Sequence, residues 1–262
     1  MSRPVSITLV AVVLCTGCIG LPARTSEPVT CARVDGGVRN LVLVADGAGG
    51  FKAASTSLRE TAAADGLPLQ IQTFAWTHGH WRIIADQVDR GHARRAGAEL
   101  AREVAVIARS CPAMPVALVG HSAGCAVVLA AAEALPAGSI DRIVLLSPSV
   151  SSEHDLRPAL ACARRGVDVF YSEDDLLYLG LGVAIFGNAD RGPNAAAGRT
   201  GFHPVFASAK DAALYAKLRQ YPWQPCLDWT GNHGGHYGAY QPGFLRAAVL
   251  PLLLTDAPPG EP

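Results

Sequence analysis

Pro115-Val116-Ala117-Leu118-Val119-Gly120-His121-Ser122-Ala123-Gly124-Cys125-Ala126-Val127-Val128-Leu129-Ala130-Ala131-Ala132-Glu133-Ala134-Leu135 changes character at a single point. Before Gly120 a short apolar run rich in valine reads as a buried strand. After Gly124 a longer run of Ala, Val and Leu reads as a helix. Between them the chain must turn sharply, and the turn has the pattern Gly-x-Ser-x-Gly. A serine at such a turn takes a strained backbone conformation. Glycines two before and two after it leave room for strand and helix to come close. Ser122 is therefore a candidate nucleophile; the plainer alternative is a tight turn with no chemistry.

Outward from this turn the same alternation repeats. Leu41 to Ala45 is a β-branched apolar run that opens into Asp46-Gly47-Ala48-Gly49-Gly50, and Phe51 to Ala64 is helix-compatible. Pro68 to Phe74 alternates as a strand should. Ile84, Val88, Ala96, Leu100, Val104 and Ile107 then recur at three- and four-residue steps, which predicts one long helix lying on a sheet. Ile143 to Leu146 is a further strand, Leu156 to Arg165 a helix and Val167 to Tyr171 a strand. A last strand is expected near Trp223 to Trp229, before a terminal helix from Phe244 to Leu254. Strands that read as continuous apolar runs and alternate with helices predict an α/β fold, a mostly parallel central sheet with helices on both faces. Such sheets place their sites at the carboxyl ends of the strands.

With Gly120-His121-Ser122-Ala123-Gly124 set between strand and helix, the chain from Leu41 to about Leu254 resembles the α/β-hydrolase superfamily. The resemblance implies the order nucleophile, acid, histidine. The acid is implied in the loop Tyr171-Ser172-Glu173-Asp174-Asp175, where a small residue, two variable positions and the acid place Asp175 in that role, with Asp174 as the alternative. Asp168 and Asp190 read as structural. The base is implied in Gly231-Asn232-His233-Gly234-Gly235-His236-Tyr237, with His236 preferred and His233 open. The oxyanion hole is implied at the backbone N–H groups of Ala123 and Ala48, with Gly47 close behind. Asp46 departs from the pattern, since relatives commonly carry His there. The activity implied is hydrolysis of a carboxylic ester or thioester through an acyl-enzyme on Ser122, on a small-molecule ester or acyl substrate and without a cofactor. An acyltransferase with the same triad and a non-catalytic binding lipoprotein on this fold are the alternatives.

Half of the 262 residues are hydrophobic and the formal net charge is zero, enough for one large core and no footprint for nucleic acid. Met1 to Pro4 carries one positive charge and Val5 to Leu14 is apolar but short, which reads as a signal peptide over residues 1–17. Its end, Cys15-Thr16-Gly17-Cys18, resembles the cleavage box of bacterial lipoproteins, and Cys15 departs from the usual Leu. The resemblance implies lipid on Cys18, a tether over 18–38, and anchoring to a membrane surface of a bacterial envelope, with secreted or periplasmic protein as the alternative. A hydrolase domain over 39–256 and a disordered tail over 257–262 complete the expectation. Five cysteines would remain in an oxidising compartment, so at least one thiol stays free, and Cys125 behind the nucleophile is the candidate. His78 and His80 could be read as metal ligands, but no following Asp completes a metallohydrolase cluster, and no metal is expected. Trp76 to Trp81 is expected to line the mouth of the site, and His92 to be a satisfied core histidine. Leu176 to Gly201 is either a lid or core.

Overall fold

The computed structural model describes residues 40–175, 196–204 and 208–254. The expected signal peptide, Cys18, the tether, the tail and most of the stretch 176–201 lie outside these residues. No described helix is long and apolar enough to cross a membrane.

Six strands form one sheet: β1 (Asn40–Ala45), β2 (Leu69–Thr73), β3 (Val116–His121), β4 (Arg142–Leu146), β5 (Val167–Tyr171) and β6 (Leu218–Pro222). Their order is β2-β1-β3-β4-β5-β6, and every neighbouring pair is parallel. The chain runs outward from β1 to β2, then returns to β3 on the other side of β1. That reversal between β1 and β3 is where open parallel sheets form their crevice. Ala45 pairs with Gly120, and His121 with Leu146, so β1, β3 and β4 finish in line. The loops that leave this edge carry Gly47, Ser122, Ser147 and Asp175.

Alternate residues of each strand point to opposite faces and build two cores. Leu41, Leu43, Leu118, Ile143, Leu145 and Val169 pack against α3 (Arg90–Ser110), α4 (Gly124–Ala134) and α5 (Arg157–Cys162). Val42, Val44, Val119, Val144 and Leu146 face the other way, toward α1 (Ala53–Ala64) and the terminal helix. Both faces being covered explains why the central strands β1, β3 and β4 read as apolar runs.

Three expectations are corrected. The long helix is two, α2 (Ile83–Val88) and α3, because Asp89 accepts a hydrogen bond from the His92 N–H and starts α3 afresh. Ile84 consequently lies outside the stripe and is exposed. The last strand is β6, ahead of Trp223 to Trp229, and Pro225–Thr230 is a 3₁₀ helix with Pro225 in its first turn. The terminal helix runs through Pro242–Phe244, Leu245–Val249 and Leu250–Leu253, its middle turn widened to π geometry just before Pro251, whose ring removes a helical donor. Among the cysteines, Cys111 is disulfide-bonded, while Cys125, Cys162 and Cys226 are free.

Helices α3 and α4 meet at Gly97. A β-carbon there would stand 2.5 Å from the Ala130 Cβ and 2.9 Å from its carbonyl carbon. Helix propensity favours alanine over glycine by about 1 kcal/mol, but parting two packed helices costs about 1–3 kcal/mol. Gly97→Ala is therefore expected to destabilise the fold, by up to about 2 kcal/mol net. Urea unfolding midpoints check it; a midpoint at or above that of the parent chain would contradict this packing.

Candidate active site

Ser122 stands between β3 and α4 with φ 52, in the left-handed region that non-glycine residues rarely occupy. Its backbone is held from both sides: its N–H donates to Leu146 O at 3.0 Å and its carbonyl accepts from Ser149 N–H at 3.1 Å. The glycines of the motif have a steric cause here. A β-carbon on Gly124 would lie 2.1 Å from the Ala45 carbonyl oxygen, and one on Gly120 would lie 2.8 Å from the Cys125 Cα.

The loop after β5 and the loop after the 3₁₀ helix reach the same point. His236 Nε2 lies 2.9 Å from Ser122 Oγ, and His236 Nδ1 lies 2.7 Å from Asp175 Oδ2. A carboxylate can only accept, so Nδ1 carries the proton and Nε2 is left to accept from the serine hydroxyl. Both the His236 and the Asp175 side chains are buried, at 3% and 0% exposure. The alternatives lie elsewhere: Asp174 is exposed, and exposed His233 pairs with Asp228 at 3.1 Å. The histidine loop is braced by groups that carry no sequence signature. Asn232 Oδ1 accepts from the Gly234 N–H at 3.0 Å, and Trp223 Nε1 donates to Asn232 O at 2.8 Å. Asp168, inside β5, instead meets Arg142, Arg219 and Tyr221, a structural cluster across the strands.

Ala123 opens α4 beside the serine, and its buried N–H makes no hydrogen bond to a described residue. The same holds for the N–H of Ala48. Gly47, one residue earlier, lies against Ser122: a β-carbon on it would stand 3.3 Å from Ser122 Cβ and 2.9 Å from His121 Nδ1. The glycine-rich loop after β1 therefore runs directly beside Ser122. Asp46, the departure from the family pattern, turns inward; its Oδ1 accepts from the Ser55 N–H at 3.0 Å and so serves the start of α1, where Lys52 gives no side-chain cap. Burial raises its carboxyl above the usual range. Trp76 is buried and donates from Nε1 to Asp46 O at 2.8 Å, so it supports the loop from beneath; only Trp81, 78% exposed, stands at the rim. There Phe51 meets Trp81 edge to face, with Ile83 also exposed. His78 pairs with Asp86 and Asp89, while His80 is exposed. His92 is partly buried, hydrogen-bonded to Trp76 O and stacked on His78.

Behind the serine, His121 is buried with its Nε2 3.4 Å from the His236 carbonyl. Burial, and then the nearby His236 ring, pull its pKa down to about 3. The His121 and His236 ring centroids stand 5.1 Å apart. The same depression affects folding. The unfolded chain binds a proton near the ordinary value of 6.5 and the folded chain only near 3, so stability is full above 6.5 and is lost as pH falls toward 3. One such group contributes a slope of at most about 1.4 kcal/mol per pH unit. Asp46 is common to both chains of the comparison. His121→Gln is expected to lose less stability than its parent between these limits; parallel curves of unfolding free energy against pH would sink the assignment.

No curated protein matches this sequence. Several solved structures are similar in fold at low identity. A predicted CIB-like hydrolase from Thermoplasma acidophilum is 13% identical, with a TM-score of 0.45 over 82% of this chain and 86% of its own. A poly(3-hydroxybutyrate) depolymerase from Bordetella parapertussis is 18% identical, with a TM-score of 0.48 over 84% and 83%. A lipase-esterase related protein from Clostridium acetobutylicum is 10% identical, with a TM-score of 0.48 over 82% and 95%. The profile of a family described as alpha/beta hydrolase matches residues 12–166, more than half of the chain and inclusive of the Ser122 turn. With that match and the six-stranded parallel sheet, the chain belongs to the alpha/beta hydrolase family.

Proposed function

We propose that this protein is a serine hydrolase that cleaves a carboxylic ester or thioester through an acyl-enzyme on Ser122. The observation that carries the reading is the buried relay Ser122 Oγ, His236 Nε2, His236 Nδ1, Asp175 Oδ2, with spacings of 2.9 and 2.7 Å. A serine hydroxyl is a weak nucleophile near neutral pH unless a base takes its proton. His236 is placed to take it as Oγ attacks the carbonyl carbon. Asp175 holds the ring in the required tautomer and stabilises the imidazolium that forms. The carbonyl π electrons move to oxygen, and the Ala123 and Ala48 N–H groups are the available donors for that oxyanion. Collapse expels the alcohol or thiol, which receives the proton from His236. Water, activated by the same ring, then releases the acid.

The rim beside the donor loop favours substrates with an apolar group. Phe51, Trp81 and Ile83 are exposed there at 45%, 78% and 45% and are grouped around Gly49, whereas exposed apolar residues elsewhere among the described residues stand singly.

A fluorophosphonate probe is expected to label the chain once, and Ser122→Ala to abolish labelling and to lower ester turnover by about 10³-fold or more. An unlabelled parent chain, or equal labelling of the variant, would overturn the proposal. On a series of p-nitrophenyl esters from acetate to octanoate, kcat/KM is expected to rise with chain length; a fall across the series would remove the apolar-substrate reading while leaving the hydrolase.

A further inference from the structure

Helix α2 has one buried residue, and it is a carboxylate. Ile83 and Ile84 of the same helix are exposed while the Asp86 side chain is wholly buried, the reverse of what amphipathic packing predicts. A buried carboxylate is costly unless its oxygens are hydrogen-bonded, and here both are. Oδ2 accepts the Gly49 N–H at 2.8 Å, and Oδ1 accepts the His78 N–H at 2.7 Å and faces His78 Nδ1 at 2.8 Å. Gly49 belongs to the loop that passes beside Ser122, and its carbonyl in turn accepts the Trp81 N–H at 3.2 Å. The next residue, Gln87, donates from Nε2 to Ser149 Oγ. Ser149 is fully buried, and its own N–H is the donor that holds the Ser122 carbonyl. Two consecutive side chains of one short helix thus grip both halves of the site, the glycine-rich loop after β1 and the turn that carries the serine.

We propose that α2 is a clamp for the oxyanion hole, with Asp86 and Gln87 as positioning residues that set the Gly47–Gly50 loop against the Ser122 turn. The inference rests on Ser122 being the nucleophile. Neither residue touches the relay, so its loss leaves the base and nucleophile in place and displaces a donor from the position where charge develops. Such a displacement acts on the transition state and leaves ground-state binding alone. A carboxamide at position 86 has a single acceptor oxygen, so it faces either the Gly49 N–H or the His78 donors with an NH₂ group.

The test uses the full chain and p-nitrophenyl butyrate. Deleting an oxyanion donor outright costs roughly 10²–10³ in kcat; for Asp86→Asn, which displaces one, kcat is expected to fall about 10- to 100-fold with KM within about twofold. The rate of fluorophosphonate labelling and the affinity for a trifluoromethyl ketone should fall by a similar factor, since both adducts need the hole. Gln87→Ala is expected to lower kcat about threefold or more, and Gln87→Glu to restore it, because a serine hydroxyl can donate to a carboxylate as readily as it accepts from an amide. Far-UV circular dichroism and the unfolding midpoint establish that each variant is folded. Folded Asp86→Asn that turns over and labels at the parent rate, or that loses activity through KM alone, overturns the clamp. If Asp86→Asn does not fold, Gln87→Ala decides: parent-like kcat overturns the proposal, and a loss rescued by Gln87→Glu supports it. A parent chain that fails to label would refute the nucleophile itself, a different result from variants that match a labelled parent.

Discussion

A β-carbon on Gly124 would stand 2.1 Å from the carbonyl oxygen of Ala45 and 2.4 Å from that of Asp46, so the first turn of α4 lies directly on the end of β1. That contact sets the separation between the serine turn and the glycine-rich loop before any side chain is considered. It also dictates the backbone at Ser122, because the chain has two residues, Ser122 and Ala123, in which to leave β3 and enter a helix pressed against β1. The resulting positive φ stores strain of about 1–3 kcal/mol. Hydrogen bonds to the Leu146 carbonyl and from the Ser149 N–H hold it, and both partners belong to β4 or the loop that follows it. Ser122 is therefore fixed by three adjacent strands, and its position follows from their aligned ends.

Charge is distributed around this point by burial. Asp168 and Asp175 are both wholly buried and both belong to β5 or the loop that follows it, yet they serve different ends. Asp168 lies in mid-strand, where two arginines and a tyrosine reach it from neighbouring strands, and it ties β4, β5 and β6 together. Asp175 lies beyond the strand end, where it meets one imidazole. Asp168 therefore joins neighbouring strands, while Asp175 reaches the His236 ring beyond the strand end. His121 lies buried beside that ring, and burial pulls its pKa down.

The parts of this architecture visible in the sequence are those governed by local pattern. Continuous apolar runs disclosed β1, β3, β4 and β5 because both sheet faces are covered, and the change of period at Gly120 disclosed the turn. β6 was misplaced because it is an edge strand, half-buried, and its residues Leu218-Arg219-Gln220-Tyr221-Pro222 follow no apolar run. The break at Asp89 was hidden because apolar spacing continues across it by coincidence. Asp174 and Asp175 are equivalent in composition and differ only in which side of the loop faces inward, which tertiary packing decides. The same is true of His233 and His236. Asp86 had no signal at all: a lone carboxylate among Ile83, Ile84 and Ala85 looks like the solvent side of a helix, and only the fold reveals that the orientation is inverted.

That inversion has a consequence for how the site can vary. The serine is anchored by the sheet, through a hydrogen-bond ladder that cannot shift without moving several strands at once. The glycine-rich loop has no such ladder beyond Ala45; besides the Gly124 contact and the Asp46 bond to Ser55, it is held by Asp86, by Trp76 beneath it and by the Trp81 backbone beside it, these last three from residues 76–86 outside the sheet. The exposed Phe51, Trp81 and Ile83 sit on or beside the same segments. Substitutions there can therefore alter the apolar rim and the donor geometry together while the relay stays intact. On the proposed reading, one segment carries both the apolar rim and the support of the donor loop, and so ties substrate contact to transition-state stabilisation.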